Sequence, residues 1–565
     1  PVEADILDFR RLHHYGDKGL ERESDVMGDI ETRGRQLVHR LRMLGRGRAP
    51  EPGKTGPDTE AAPRPAVQPA AQSGTVRFLH RAYAEDNGDV AESYGMDDAR
   101  VLRDHFDRYG QREHRGISQG DYVNVEGVVC CEDGHIFLSG WADRRMVPTL
   151  RLTVEIGYLA HDIGEIEASW YHRADVAGQI GDSNRPAGFM ALVHVPGASL
   201  HSVIRLRING KLVHEQKIVR WRAPDQFLMQ TLTAAAVLAD QPIGATLTAA
   251  ERLYSGFHAI WLRFLEGLTF AQAFAHRGAD PVDTSIVITI YKSADMLLPQ
   301  LETLAAALSG APIELVVIGN ELQDSARVVD QLRGFCQIHD VALRLYLCSG
   351  NSGFSAANNF GADMARGETL IFMNPDIFPP EKSPEAALAF LTSDPGDGLT
   401  GALLYYGDGM LMHSGMYVAS DLAFEARRGR SEPVLRVEHF GKGLTHHIDD
   451  DSAVIEPIMA PIRNRKLLVT AALWKIRKSL FEEMGGLSTD YLYAYYEDAD
   501  FCLRMLQAGH PVRIDESARW IHMEGVGKAK PPFVRSFMWL NRALFTRRFA
   551  ASDLVADEDT DLFQL

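Results

Sequence analysis

Two acidic clusters stand where the pattern of the chain changes abruptly. In Leu370-Ile371-Phe372-Met373-Asn374-Pro375-Asp376 an apolar run ends in a carboxylate. Such a run suits a strand buried on both faces of a parallel sheet. Pro375 has no N–H to continue a ladder, so the strand stops and Asp376 is presented at its C-terminal edge. Ligands bind at that edge in open α/β sheets. A hard carboxylate held there suits a divalent cation bridging to a diphosphate. The second cluster is Glu497-Asp498-Ala499-Asp500, with Arg504 four residues beyond Asp500. That spacing pairs Asp500 with Arg504 on a helix. An acidic first turn that only complements the helix dipole is the plainer account of the others.

From Thr284 onwards the chain alternates strand and helix. Ser285 to Ile290 reads as a buried strand, Met296 to Leu308 as a helix and Ile313 to Ile318 as the next strand. A helix over Ser325–His339 and a strand over Ala342–Leu347 follow. This βαβαβ order predicts a parallel sheet whose strand C-termini bind the ligand. Gly353 and Gly361 permit close backbone approach and unusual turns. Asn359 offers both a donor and an acceptor to a neighbouring loop or a nucleotide.

The series Asn351-Ser352-Gly353-Phe354, Asn358-Asn359-Phe360-Gly361, Ala365-Arg366-Gly367-Glu368 and Asn374-Pro375-Asp376 resembles the family 2 glycosyltransferases. Further on, Asp408-Gly409 with His413-Ser414-Gly415, the strand Leu468 to Lys478, Glu497-Asp498-Ala499-Asp500 to Arg504, and Trp520-Ile521-His522-Met523-Glu524-Gly525 resemble later motifs of the same family. The type is that of bacterial rhamnosyl/galactosyl-transferase-like enzymes of polysaccharide biosynthesis. The resemblance implies the GT-A fold, a Rossmann-like mixed α/β sheet of nucleotide-diphospho-sugar transferases. It implies an inverting transfer from a nucleotide-sugar donor to a glycan or lipid-linked saccharide acceptor in cell-surface polysaccharide synthesis, assisted by Mg²⁺ or Mn²⁺.

By the same resemblance, Thr289, Tyr291, Asn351, Gly353, Phe354, Asn359, Asn374 and Asp376 bind the donor. Asp376 and His522 hold the metal, and Thr470, Ala471 and Arg504 lie on the acceptor side. Asp498 is the expected general base, with Glu497 in support. An acceptor hydroxyl is a poor nucleophile until a base within hydrogen-bond reach takes its proton. Asn374 replaces the first aspartate of the family's DxD pattern, so Asp376 is expected to share the metal with His522. Ala471 replaces a glycine. Two rival readings are a non-catalytic glycan-binding scaffold on a transferase fold and a sugar-1-phosphate nucleotidyltransferase. The second wants a Gly-rich basic loop after the first strand, where this chain has Tyr291-Lys292-Ser293-Ala294-Asp295.

Other stretches divide the chain. Residues 1–45 form a charged helical segment and 46–74 a Pro- and Ala-rich linker that cannot bury a core. Residues 75–118 make a small helical module. Over 119–222 a period of two with turn signals predicts a β-sandwich accessory domain. Trp141 is there a core residue or a sugar-stacking surface. Residues 223–280 read as a helical brace, 281–530 as the catalytic domain, and 531–565 as a C-terminal helix with an acidic tail. Residues 421–466 read as a long loop or insert in which His446-His447 is an exposed pair.

The 565 residues carry a formal net charge of −17, the opposite of the basic footprint of a nucleic-acid binder. Five cysteines show no metal-type spacing, which favours a reducing compartment. No apolar run approaches the ~18 residues of a membrane span, and the first residues lack a signal-peptide core. The expectation is a cytoplasmic protein. Peripheral association with the inner face of the cytoplasmic membrane, and a homo-oligomer, stay open.

Overall fold

The computed structural model describes residues 80, 83–84, 87–110, 123–144, 149–176, 186–276 and 281–552. Within those ranges it omits 157–158, 199–201, 209–210, 219, 383, 426–429, 443–445, 451, 464–465 and 524–530. The segments expected over 1–45 and 46–74, and the Glu524-Gly525 end of the last motif, lie outside the described residues.

The region from Phe270 to His522 is organised by one mixed sheet. Strand β10 (Thr284–Tyr291) runs parallel to β11 (Ile313–Asn320), which runs parallel to β12 (Ala342–Cys348). On its other side β10 pairs parallel with β13 (Thr369–Met373). All eight residues of β11 are buried, as a central parallel strand with both faces covered requires. Helices α5 (Leu297–Leu308), α6 (Ser325–His339) and α7 (Gly353–Met364) make the crossovers. A Cβ on Gly361 would meet Val287 Cγ1 at 2.4 Å, so only glycine lets α7 lie this close to β10.

Beyond β13 the sheet changes direction. Antiparallel β19 (Leu473–Arg477) is followed by β15 (Leu399–Tyr405), and β15 runs parallel to β20 (Val512–His522). The two-residue β14 (Ile377–Phe378) returns beside the end of β20, with Ile377 opposite His522. The ends of β10, β11, β12 and β13 share one edge, and the pairing of β14 brings His522 to it.

Two stretches differ from the sequence reading. Residues Phe270–His276, placed with the helical brace, form β9, an antiparallel edge strand on β12. Their alternation of apolar and polar residues is short and weak, and pairing with β12 decides their state. The expected loop over 421–466 contains most of a hairpin, β17 (Met416–Glu425) with β18 (Arg430–His439), and a helix, α9 (Ser452–Met459). His446 is not exposed: it is buried, with Nδ1 3.3 Å from the Tyr405 hydroxyl.

Upstream, β1 (Val123–Cys130), β2 (His135–Ala142), β5 (Ser169–Tyr171) and β6 (Gly188–His194) form one antiparallel sheet. A second contains β3 (Leu150–Ile156), β4 (Leu159–Ile166), β7 (Val203–Ile208) and β8 (Lys211–Lys217). Leu138 and Phe189 of the first share a core with Leu152 and Leu206 of the second. Trp141 is buried with Val176 and Ala187 and presents no open face.

Helices α3 (Pro224–Ala235) and α4 (Ile243–Glu266) follow, and α12 (Pro532–Phe549) packs on both and on β18. Phe537, Leu540 and Leu544, the predicted apolar face of α12, are buried. Each contributes ~1.5–3 kcal/mol on burial. The rim pair Arg535–Asp240 is largely exposed, and exposed pairs contribute ~0–1 kcal/mol. Apolar burial therefore dominates the docking of α12.

Candidate active site

The Asn374-Pro375-Asp376 turn is held from three directions. The Asn374 N–H donates to Ala472 O at 2.8 Å, and the Met523 N–H to Asp376 O at 2.9 Å. Gln300, buried on α5, donates from Nε2 to Asn374 O (2.6 Å) and Ile377 O (2.8 Å). Within this frame Asp376 Oδ1 stands 3.3 Å from His522 Nε2. Two ligands at right angles, each ~2.1 Å from an octahedral cation, lie ~3 Å apart. The pair therefore fits joint ligation of one divalent ion. His522 is buried and its Nδ1 has no partner among the described residues, where no group of three His, Cys, Asp or Glu side chains gathers as a metal cluster.

A histidine pair lies near enough for the charge of His522 to bear on it. His413 Nδ1 and His439 Nδ1 are 2.9 Å apart, so one ring donates to the other and at most one of them is a cation. Burial pushes the His439 pKa down to about 4 and that of His413 well below the usual range, with His522 and Lys442 acting in the same direction.

The acidic cluster opens α11 (Glu497–Gln507) after a strap of tyrosines. Tyr493, Tyr495 and Tyr496 have φ of 58°, 79° and 75°, a left-handed conformation that costs ~1–2 kcal/mol per non-glycine residue. The surroundings hold it. Asn541 of α12, fully buried, accepts from the Leu492 N–H at 2.9 Å and donates to Leu492 O (3.0 Å), Ala494 O (2.8 Å) and Tyr495 O (3.3 Å). From the other side the Phe354 N–H donates to Tyr493 O at 2.5 Å. Gly353, at φ 72°, would bring a Cβ to 2.6 Å from that same oxygen.

At the end of the strap Asp498 is partly buried. Its carboxylate accepts from the Ala499 N–H (2.8 Å), the Ala471 N–H (3.3 Å) and the Thr470 hydroxyl. Burial raises its pKa, against the pull of these hydrogen bonds. Glu497 is buried with Oε2 unpartnered among the described residues. Burial, and next the charge of Asp498, push its carboxyl well above the usual range. Asn374, Ala472, Ala471 and Asp498 thus form a short chain of contacts between the metal-type pair and the candidate base.

Asn541→Ala removes a buried partner from four backbone groups, and a buried group left unsatisfied costs about 1–3 kcal/mol. The variant is expected to melt several degrees lower. At a temperature where it remains folded, kcat should fall while nucleoside diphosphate affinity holds. Unchanged kcat in the folded variant would make Asn541 a stability residue only.

On the donor side, Tyr291 is 42% exposed at the end of β10, and Asn351 accepts the Gly353 N–H at 3.0 Å. Thr289 donates to Asn358 Oδ1 at 3.2 Å. Buried Asn320 ties the next loop by accepting from the Ser352 hydroxyl (2.7 Å) and donating to Gly353 O (3.1 Å). Two expected site residues have other work. Both amide atoms of Asn359 bind the Leu487 backbone, at 2.8 and 2.9 Å. The Arg504 guanidinium pairs with Asp500 (2.7 Å) and donates to the carbonyls of Met484 and Gly486. Both fasten the 484–487 turn, where the amide and guanidinium have found protein partners rather than open space.

Gln300, Asn320, Asn358 and Asn541 were not picked out by sequence reasoning. Gln300 and Asn541 each interrupt an apolar helix face, Gln300 between Leu297 and Leu304 and Asn541 between Phe537 and Leu544. A polar residue at such a position must find a buried partner, and that was the available signal.

Residues 285–417 match the family model described as glycosyl transferase family 2. Over 243 residues the chain is 26% identical to the uncharacterized protein y4gI of Sinorhizobium fredii (strain NBRC 101917 / NGR234). That match covers 42% of this chain and spans 24% of the relative's length. Among solved structures it is similar to the mannosyltransferase PcManGT from Pyrobaculum calidifontis, in complex with GDP-Man and Mn²⁺. There the identity is 16% and the TM-score 0.29, over 56% of this chain and 83% of that one. It is also similar to TarS 1–349 of S. aureus, at 14% identity and TM-score 0.28, over 43% and 60% of the two chains. The family match thus falls on the segment 285–417, which carries β10 to β13 and the Asn374-Pro375-Asp376 turn of the mixed sheet.

Proposed function

We propose that the chain moves a sugar from a nucleoside diphosphate donor to a hydroxyl of a glycan or lipid-linked saccharide, inverting the anomeric centre. The observation that supports this reading is the Asp376–His522 pair, whose turn is tied at Asn374 to Ala472, next to Ala471, which donates its N–H to Asp498. Asp498 takes the proton of the acceptor hydroxyl as its oxygen attacks the anomeric carbon. The bond from that carbon to the phosphate oxygen breaks on the opposite face, and the nucleoside diphosphate departs with the electron pair. Asp376 and His522 would hold Mg²⁺ or Mn²⁺, which supplies Lewis-acid neutralisation of the leaving diphosphate.

In this reading the acceptor belongs to cell-surface polysaccharide, met at the cytoplasmic side of a membrane, and the two upstream sheets serve as an accessory module. No described helix is long and apolar enough to cross a membrane. The test is a panel of nucleotide sugars with Mn²⁺. One donor should raise the melting temperature by a few degrees, since a ligand at ~100 times its Kd stabilises by about 2.7 kcal/mol. That donor should then release nucleoside diphosphate when an acceptor glycan is added. A panel with no thermal shift and no release would support the scaffold, and pyrophosphate release from a sugar 1-phosphate and a nucleoside triphosphate would support the nucleotidyltransferase.

A further inference from the structure

A cleft of about 860 Å³ opens at the ends of β10, β11 and β12, within the ~300–1,000 Å³ of small-molecule sites. Tyr291, Glu321 and Asn351 line it from the catalytic sheet. Its other wall comes from residues that precede that sheet: Arg222, Gln226 and Gln230, with Arg220 beside them. On the donor reading this end of the sheet faces the nucleoside, because Asp376 and the diphosphate end lie beyond β13.

The upstream wall is built firmly. The Arg222 N–H donates to Cys130 O at 2.9 Å, and Arg222 O accepts the Glu132 N–H at 3.1 Å. Arg222 is thereby pinned to the turn between β1 and β2. Gln226 and Gln230 stand one turn apart on α3, whose neighbouring Phe227, Leu228 and Leu232 are buried. The Ser536 hydroxyl on α12 donates to Leu232 O at 2.5 Å and fastens the same helix. The guanidinium groups of Arg220 and Arg222 form no ion pair among the described residues, in a chain of net charge −17. On the sheet side, Lys292 and Glu321 hold left-handed backbone, at φ 62° and 47°. Strain of that kind gathers at ligand clamps.

We propose that the segment from Arg220 to Gln230 completes the donor pocket and selects the nucleoside. This rests on the donor reading above. Arg222 has donors only, so it selects acceptor atoms, the carbonyl oxygens of a base edge or the ribose oxygens. Gln226 and Gln230 carry donor and acceptor together and read the adjoining edge, and Tyr291, half exposed with Lys292 Nζ 4.9 Å from its ring centroid on one side, leaves its other face for a base to stack on. Nucleoside preference is thus a property of two modules rather than of the family 2 segment alone.

The experiment is calorimetry on the full chain with Mn²⁺ and, one at a time, the diphosphates of uridine, deoxythymidine, guanosine, cytidine and adenosine, with inorganic pyrophosphate as reference. Wild-type protein should prefer one nucleoside. Arg222→Ala should weaken that one ~10–100-fold, the range of a lost charge-assisted hydrogen bond. It should also flatten the preference while leaving pyrophosphate binding unchanged. The double variant Gln226→Ala/Gln230→Ala, on the solvent side of α3, should flatten it independently. Unaltered order and affinity in both variants would overturn the assignment of the wall and leave the donor reading standing. Wild-type protein that binds none of the five diphosphates would overturn both.

Discussion

Asp498→Asn yields a protein that binds donor normally and transfers sugar ~10³-fold more slowly. General base catalysis contributes ~10²–10⁴-fold. The amide keeps the shape of the side chain and one of the two oxygens that accept from the Ala471 and Ala499 N–H groups, so one of those hydrogen bonds is lost, and it takes no proton from the acceptor. The wild-type profile supplies the control. With its pKa raised by burial, Asp498 takes up its proton at a higher pH than an aspartate in the ordinary carboxylate range. Activity should therefore fall with decreasing pH from a point above that range, and this limb should vanish in the variant. Single-turnover transfer and nucleoside diphosphate calorimetry measure the two halves. Transfer at the wild-type rate by the variant would move the base elsewhere, with Glu497 the first alternative.

Asp376→Ala should abolish metal-dependent binding of the nucleoside diphosphate. Residues that only support a metal ligand already cost ~10–100-fold in metal affinity, so losing one of two protein ligands belongs at or beyond the upper end. The turn itself should survive, because Gln300 and the Met523 N–H grip backbone atoms rather than the Asp376 side chain. Calorimetry with and without Mn²⁺ separates the outcomes. A variant that retains the Mn²⁺ increment in nucleoside diphosphate affinity would show that Asp376 does not ligate. His522→Ala is the companion measurement, since the 3.3 Å separation fits both residues on one ion.

The sheet was legible because its strands are continuous apolar runs separated by helical periods, and Pro375 marks where β13 ends. The pairing of Asp376 with His522 and the presence of Asp498 beside Thr470 and Ala471 follow the motif order. Other parts depend on partners far away in sequence. Phe270–His276 becomes a strand because β12 has a free edge, and its own alternation is too short to show it. The roles of Asn359 and Arg504 turn on the 484–487 turn, which consumes hydrogen-bonding capacity that side-chain type alone leaves free. The residues of 416–466 have turn chemistry and mixed polarity, and their hairpin is fixed by cross-strand pairing from Met416↔His439 to Glu425↔Arg430.

Helix α12 has a bearing on the birth of the enzyme. Its Ser536 reaches back 304 positions to Leu232, and its Asn541 reaches 49 positions to Leu492. At a synthesis rate of ~5–20 residues per second, the tyrosine strap leaves the ribosome ~2–10 s before the amide that straightens it. Through that interval the strands β10 to β13 are already synthesised, while the strap leading to Asp498 lacks its clamp. The strap gains its clamp only once the far helix has folded home.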